Sequence, residues 1–311
     1  MTNAIEFEYI REIKYSYSII IPHKNTPTLL RRCLDSIPDR EDVQIIIVDD
    51  NSDTTKADFD NFPGKSRPNV EIYYTKEGKG AGYARNVGLS HAIGEWLIFA
   101  DSDDYFTEEF NTILDKYKED DSDIVFFNAE SRYSDNISIT ADRSLNLNRY
   151  IKEHDIVSLR YHFYPPWCKL IKRDIQVKYS VLFSETIAAN DVMFSVNVAY
   201  HAKRFKIEEA TGYCVTLRSG SLEKTFSSAA LLARVCISLE TNRFYEEHNI
   251  KETCAQYYVQ LCNALILCDF RTLNKGLSLC KQYGCNKLHT IVLIIYELLW
   301  NRIPIKCQWK K

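Results

Sequence analysis

Asp101, Asp103 and Asp104 fall within the stretch Ala100-Asp101-Ser102-Asp103-Asp104. Carboxylates are rarely buried unless they are paired or bind metal. Asp101 and Asp103 form an Asp-x-Asp, which can offer hard oxygen ligands to Mg2+ or Mn2+, and such an ion can also hold a diphosphate. The plainer alternative is an acidic turn capping a helix that starts near Thr107. The apolar run Glu95-Trp96-Leu97-Ile98-Phe99 precedes the turn and reads as a buried strand, so the carboxylates lie just past a strand end.

The elements that must position this turn follow from periodicity. Residues 17–22 are a strand stopped by Pro22. Thr26 as N-cap and Pro27 at the first helical position start a helix with Leu29, Leu30, Cys33, Leu34 and Ile37 on one face. Residues 43–48 form a second, almost wholly apolar strand, which suits a parallel strand covered on both faces and ends in Asp49-Asp50-Asn51-Ser52-Asp53. A third strand covers 70–75. The glycine-rich stretch 78–82 leads into a helix over 83–93. It fits neither a dinucleotide fingerprint nor a phosphate-binding P-loop, and reads as a loop that lets a ligand close. A helix over 107–119 and a strand over 124–127 complete the alternation.

This pattern predicts an α/β domain with a mostly parallel sheet, whose ligands lie beyond the carboxyl ends of the strands. Pro22, Asp50 and Asp101–Asp104 all stand at such ends. Residues 131–160 are weakly periodic, with room for a hairpin and a helix. Residues 165–171 turn into a strand, 192–201 are amphipathic, and 205–207 and 213–217 read as two strands. Three or four helices fill 227–300. The shift in composition near Ser219 divides the chain into residues 15–218 and 219–311.

Composition excludes more than it assigns. The chain has 311 residues, with 39 Lys and Arg against 42 Asp and Glu, so the net charge near −3 offers no argument for nucleic acid. No apolar run reaches the ~18 residues of a membrane span, and the N-terminal residues do not resemble a signal peptide. Ten scattered cysteines without a Cys-x-x-Cys predict free thiols in a reducing cytoplasm.

Four motifs in order, 18–22 (Ser-Ile-Ile-Ile-Pro), 47–52 (Ile-Val-Asp-Asp-Asn-Ser), 82–88 (Gly-Tyr-Ala-Arg-Asn-Val-Gly) and 99–104 (Phe-Ala-Asp-Ser-Asp-Asp), resemble glycosyltransferase family 2. Trp167-Cys168-Lys169-Leu170-Ile171 and Asn190-Asp191-Val192-Met193-Phe194 look like its later motifs, so the resemblance covers about 15–217. It implies a Rossmann-like GT-A fold, with a mostly parallel central sheet flanked by helices and here followed by a C-terminal helical region. It implies a nucleotide-sugar donor, Mn2+ or Mg2+, and inversion at the anomeric carbon. Asp50 resembles the family residue that accepts from the uracil N3–H. Pro22 and His23 would lie along the nucleoside, and Arg85 and Arg218 would meet the diphosphate.

By the same resemblance Asp103 ligates the metal, and Asp101 contacts the ribose or, through water, the metal. Asp191 is the catalytic base that takes the proton of the acceptor hydroxyl. The family often has Glu before this Asp, where Asn190 stands here. Trp167 is a candidate platform for an acceptor sugar or an ordinary core aromatic. The expected activity is hexosyl or N-acetylhexosaminyl transfer from a UDP-sugar to a glycan or lipid-linked acceptor, as in bacterial capsule, lipopolysaccharide or other surface-glycan synthesis.

Two other classes compete. A sugar-1-phosphate nucleotidyltransferase would carry a glycine-rich loop directly after the first strand, where His23-Lys24-Asn25-Thr26-Pro27 stands instead. A non-catalytic glycan-assembly protein would not need Asp50, Asp101, Asp103 and Asp191. At the C-terminal end, residues 290–300 are apolar almost all round, and Arg302, Lys306, Lys310 and Lys311 follow. That segment either packs on its neighbours or forms a contact between two copies, or it lies against the inner face of a membrane. The expected location is cytoplasmic, with peripheral membrane contact as the extension.

Overall fold

The computed structural model describes residues 15–218, 227–251 and 253–301. The expected boundary at Ser219 and the basic residues Arg302, Lys306, Lys310 and Lys311 lie outside the described residues. β1 (Tyr17–His23) is buried at every position. α1 (Pro27–Ser36) follows, with Pro27 at its start as expected. Thr26 occupies the N-cap position, but its hydroxyl makes no cap bond; its N–H donates to His23 Nε2 at 3.1 Å. β2 (Val43–Asp50), also buried throughout, and β3 (Val70–Thr75) pair in parallel with their neighbours.

α2 (Ala81–His91) lies on β1 and β2. Its Gly88 lets the sheet come close, since a Cβ there would stand 2.4 Å from Ile20 Cγ2. β4 (Trp96–Phe99) pairs in parallel with β1 and delivers the acidic turn. β5 (Tyr105–Phe106) follows the turn, and α3 (Glu109–Tyr117) lies within the stretch expected to be helical. Next come β6 (Ile124–Tyr133), the exposed β7 (Asn136–Thr140) that forms a hairpin with it, α4 (Leu145–Lys152) and α5 (Ile156–Tyr161).

β8 (Lys169–Lys172) inserts between β4 and β6, antiparallel to both. α6 (Arg173–Lys178) and α7 (Val192–His201) precede β9 (Phe205–Leu217). The two short strands expected at 205–207 and 213–217 are one strand. The pairing of β9 with β6 slips twice, opposite residues 127–129, and the irregularity around Thr211 and Gly212 interrupts the apolar pattern without ending the ladder. The sheet order is β3-β2-β1-β4-β8-β6-β9-β5, mostly parallel.

Four helices follow: α8 (Ser228–Glu247), α9 (Tyr257–Ile266), α10 (Phe270–Gln282) and α11 (Lys287–Tyr296), the last running into a π-helical turn at Glu297–Asn301. They enclose a core of their own around Val235, Leu239, Leu261, Cys262 and Ile294. A separate cluster of Tyr161, Val196, Ala199 and Tyr245 seats α8 against α5 and α7. The described cysteines form no disulfide with one another.

Candidate active site

Three neighbouring parallel strands, β2, β1 and β4, end on the same edge of the sheet. At the tip of β2, Asp49 and Asp50 point to opposite sides, as successive strand residues must. Asp49 accepts from His23 Nδ1 at 2.7 Å, from the Ser52 N–H at 2.9 Å and from Ser52 Oγ at 2.6 Å. Burial works against its charge, yet these bonds hold its carboxyl below the usual range. His23 Nε2 accepts from Thr26, so Nδ1 carries the ring proton and gives it to Asp49. Both ring nitrogens are thereby used inside the protein. The His23 imidazole, 2% exposed, therefore braces the loop, and the expectation that Pro22 and His23 lie along a nucleoside concerns their backbone. Pro22 is buried beside Val48 in the β1–β2 ladder.

Asp50 is buried as well. Its Oδ2 accepts from the Gly80 N–H at 2.9 Å and from Lys24 Nζ at 3.3 Å, while Oδ1 is buried without a hydrogen-bond partner. Gly80 has φ +95°, a conformation that a side chain would strain, and that turn is what aims its N–H at Asp50. A buried carboxylate oxygen with no donor is costly unless something else supplies one.

The acidic turn after β4 uses each carboxylate differently. Asp101 Oδ1 accepts from Arg85 at 2.6 Å. Asp103 Oδ2 accepts from Arg218 Nε at 2.8 Å. Asp104, 2% exposed, is turned inward: it accepts from the Thr216 N–H at 2.7 Å and from the Tyr213 hydroxyl at 3.0 Å. The same hydroxyl accepts from the Asp101 N–H at 3.0 Å. Arg32 braces the turn from α1 by donating to the Asp103 carbonyl, which Thr216 Oγ1 also reaches at 2.6 Å. Burial raises the pKa of Asp103, with the Asp101 charge adding to it, and that of Asp104, with the charges of Asp103 and Asp101 adding to it.

Arg85, 5% exposed, spans from this turn to the loop that carries Asn190 and Asp191. One nitrogen bonds Asp101, and the other donates to Asn190 Oδ1 at 2.9 Å. Asp191 follows at the N-cap position of α7, and its carboxylate makes no cap bond. Burial pushes its pKa up; the Arg85 and Lys169 cations oppose this, and the Asp101 charge adds to it. The loop carrying Asn190 and Asp191 is tied to α2. Asn86 Oδ1 accepts the Phe183 N–H at 2.8 Å, and a Cβ on Gly82 would fall 2.2 Å from the Ser184 carbonyl oxygen.

Several contributors escaped sequence reasoning. Lys169, 4% exposed, donates to the Phe163 carbonyl at 2.8 Å and to Ser195 Oγ at 3.2 Å; burial takes its pKa down to about 7, with Asp191 opposing. Arg143, just before α4, feels the charges of Asp101, Asp191 and Asp104, while burial lowers its pKa. It comes from the weakly periodic segment, which carried no signal for it. Trp167 is corrected from candidate platform to core aromatic. It is 4% exposed, stacked on Tyr213 at 5.9 Å and edge-on to Phe163 at 5.1 Å, and a sugar needs an open face.

Asp101 and Asp103 each commit one oxygen to an arginine and leave the other available. Among the described residues no three His, Cys, Asp or Glu gather into a complete metal cage. Two carboxylates completed by diphosphate and water is the arrangement Mg2+ commonly uses, so these residues fit such an ion.

The family description Glycosyl transferase family 2 matches residues 18–179, more than half of the chain. The chain belongs to glycosyltransferase family 2. It is similar to the poly(ribitol-phosphate) beta-glucosyltransferase of Bacillus spizizenii, at 30% identity over 205 residues, which are 63% of this chain and 31% of that protein. The chain therefore spans about a third of that relative's length. It is also similar to the GalNAc(5)-diNAcBac-PP-undecaprenol beta-1,3-glucosyltransferase of Campylobacter jejuni, at 26% identity over 92% of this chain and 94% of the relative.

Among solved structures, S. aureus TarS 1-349 in complex with UDP-GlcNAc superposes with a TM-score of 0.58 at 19% identity, covering 85% of this chain and 72% of that one. The mannosyltransferase PcManGT from Pyrobaculum calidifontis, in complex with GDP-Man and Mn2+, superposes with a TM-score of 0.55 at 14% identity, covering 93% and 88%. These likenesses establish the GT-A fold.

Two substitutions test how this family member builds its site. Tyr213→Phe leaves Asp104 and the Asp101 N–H each short of a partner. It should cost roughly 1–3 kcal/mol, read as a lower urea midpoint; an unchanged midpoint would remove the hydroxyl from this role. Gly82→Ala should displace the loop at 184–191 and slow transfer by roughly 100-fold while the protein stays folded by circular dichroism. A wild-type rate would show that the close approach at Ser184 is not needed.

Proposed function

We propose that the chain is an inverting glycosyltransferase that moves a sugar from a UDP-sugar to a hydroxyl of a glycan or lipid-linked acceptor in bacterial surface-glycan synthesis. The observation that carries this reading is the Arg85 bridge, one guanidinium bonded to both Asp101 and Asn190. It links the acidic turn, suited to a metal diphosphate, to the residue before Asp191, whose carboxylate feels the charges of both Arg85 and Asp101. In support, the unpartnered Oδ1 of Asp50 suits an imide N–H such as that of uracil. A relative matched over nearly its whole length is named for a diphosphate-undecaprenol-linked acceptor, and a protein of the same fold is known with UDP-GlcNAc.

In the proposed reaction Asp191 takes the proton of the acceptor hydroxyl as that oxygen attacks the anomeric carbon from the face opposite the diphosphate. The bond from the anomeric carbon to the diphosphate breaks, and the configuration inverts. Arg85 and Arg218 hold phosphate oxygens as well as the carboxylates. Asp101 and Asp103 would hold Mn2+ or Mg2+, which when bound neutralises charge on the leaving diphosphate. Such a reaction would take place in the cytoplasm, where a lipid-linked acceptor is met at the inner face of the membrane.

The deciding experiment is nucleotide release from a panel of UDP-, GDP- and dTDP-sugars with Mn2+. UDP release from at least one UDP-sugar is expected, and release from GDP- or dTDP-sugars alone would overturn the donor assignment. Asp103→Asn should lower that release by roughly 100-fold or more without unfolding the protein; full turnover with unchanged metal dependence would remove Asp103 from the metal site.

Asp191→Asn should keep donor binding in calorimetry and lose roughly 100- to 10,000-fold in rate. The base must be ionised, and burial raises its pKa, so the rate falls on acidification through a value above the ordinary carboxylate range near ~3.9. The Asn variant should lack that acid limb. Retention of the limb, or loss of donor binding, would move the base elsewhere.

A further inference from the structure

α11 and the turn after it have two faces with different fates. Thr290, Ile294 and Glu297 turn into the helical bundle, where Thr290 Oγ1 meets the Tyr257 hydroxyl at 3.2 Å and Cys262 Sγ reaches the Ile294 carbonyl at 3.6 Å. On the other side Leu288, Ile291, Val292, Ile295 and Tyr296 are 37–72% exposed, and Leu299 in the following turn is 53% exposed. From Leu288 to Tyr296 the spacing is i, i+3, i+4, i+7 and i+8, one continuous stripe of a helix. No charged side chain interrupts it. Exposed apolar surface of this continuity marks a docking site.

The charges around the stripe select the occupant. Lys287 is exposed at its start. The chain beyond it, residues 302–311, contains Arg302, Lys306, Lys310 and Lys311 and no Asp or Glu. A second copy would carry the same cations and, in the segment that follows the stripe, no acidic residue to pair with them. An anionic lipid surface would accept the apolar face and attract the cations. No helix among the described residues is long and apolar enough to cross a membrane, so a helix of this kind would lie in the plane of the interface. We propose that the exposed face of α11, with the basic segment that follows it, docks the protein on an anionic membrane surface. This stands on the surface alone and does not depend on the proposed chemistry.

The test is co-sedimentation of the full chain with vesicles of phosphatidylcholine alone or mixed with phosphatidylglycerol. Binding to the mixed vesicles is expected to exceed binding to neutral ones by at least tenfold and to weaken in high salt. Ile295→Glu, at an exposed position, should reduce it tenfold or more with an unchanged melting temperature. The triple substitution Lys306→Glu, Lys310→Glu and Lys311→Glu should do the same through charge, and guards against a packing effect of the first variant. Equal sedimentation of wild type and both variants, or none of wild type, overturns the proposal. So does a wild-type dimer in vesicle-free buffer that Ile295→Glu dissociates, because a second copy would then cover the stripe. Vesicle binding needs no transfer, so its failure would leave the proposed reaction standing.

Discussion

Three carboxylates crowded at the end of β4 impose the constraint that the surrounding structure answers. Like charges this close are tolerated only where each finds its own cation or donors. Asp101 has Arg85 from α2, Asp103 has Arg218 from the end of β9, and Asp104 has the Thr216 N–H and the Tyr213 hydroxyl of β9. α2 and β9 are therefore placed against the turn by charge as well as by apolar packing. The inward bonds of Asp104 hold the turn while Asp101 and Asp103 keep oxygens free.

The same economy of charge links the turn to Asp191. Arg85 is shared between Asp101 and Asn190, so neither can move without the other. The loop holding Asn190 closes on α2 over Gly82, with Ala189 in the left-handed region at φ 57° just before the pair. Beneath it Lys169 ties the segment at Phe163 to Ser195 in the first turns of α7. The carboxylate of Asp191 is left without a cap bond, in surroundings that raise its pKa, and both properties suit a group that must accept a proton.

The C-terminal helices are joined to this frame through α8, whose Tyr245 hydroxyl donates to the Tyr161 carbonyl at 3.2 Å. They hold their own core, which leaves α11 on the outside with only one face covered.

How much of this was legible depended on the range of the interaction. Strand and helix order follow from local periodicity, and the acidic turn, Asp50 and Asp191 from local motifs, so all were readable from neighbouring residues. The single long β9 was misread as two strands because a ladder survives a bulge that breaks the pattern. Trp167 and His23 look alike in sequence whether they face a ligand or the core; only their partners, Tyr213 and Asp49, decide it. Lys169 bonds Phe163 and Ser195, and Arg143 feels the charges of Asp101, Asp104 and Asp191, relations that no spacing encodes. The sequence alone determined which elements form and which carboxylates stand at their ends. The tertiary structure decided which charges are shared, which aromatic rings are covered and which face of α11 stays bare, because burial and pairing belong to residues far apart in the chain.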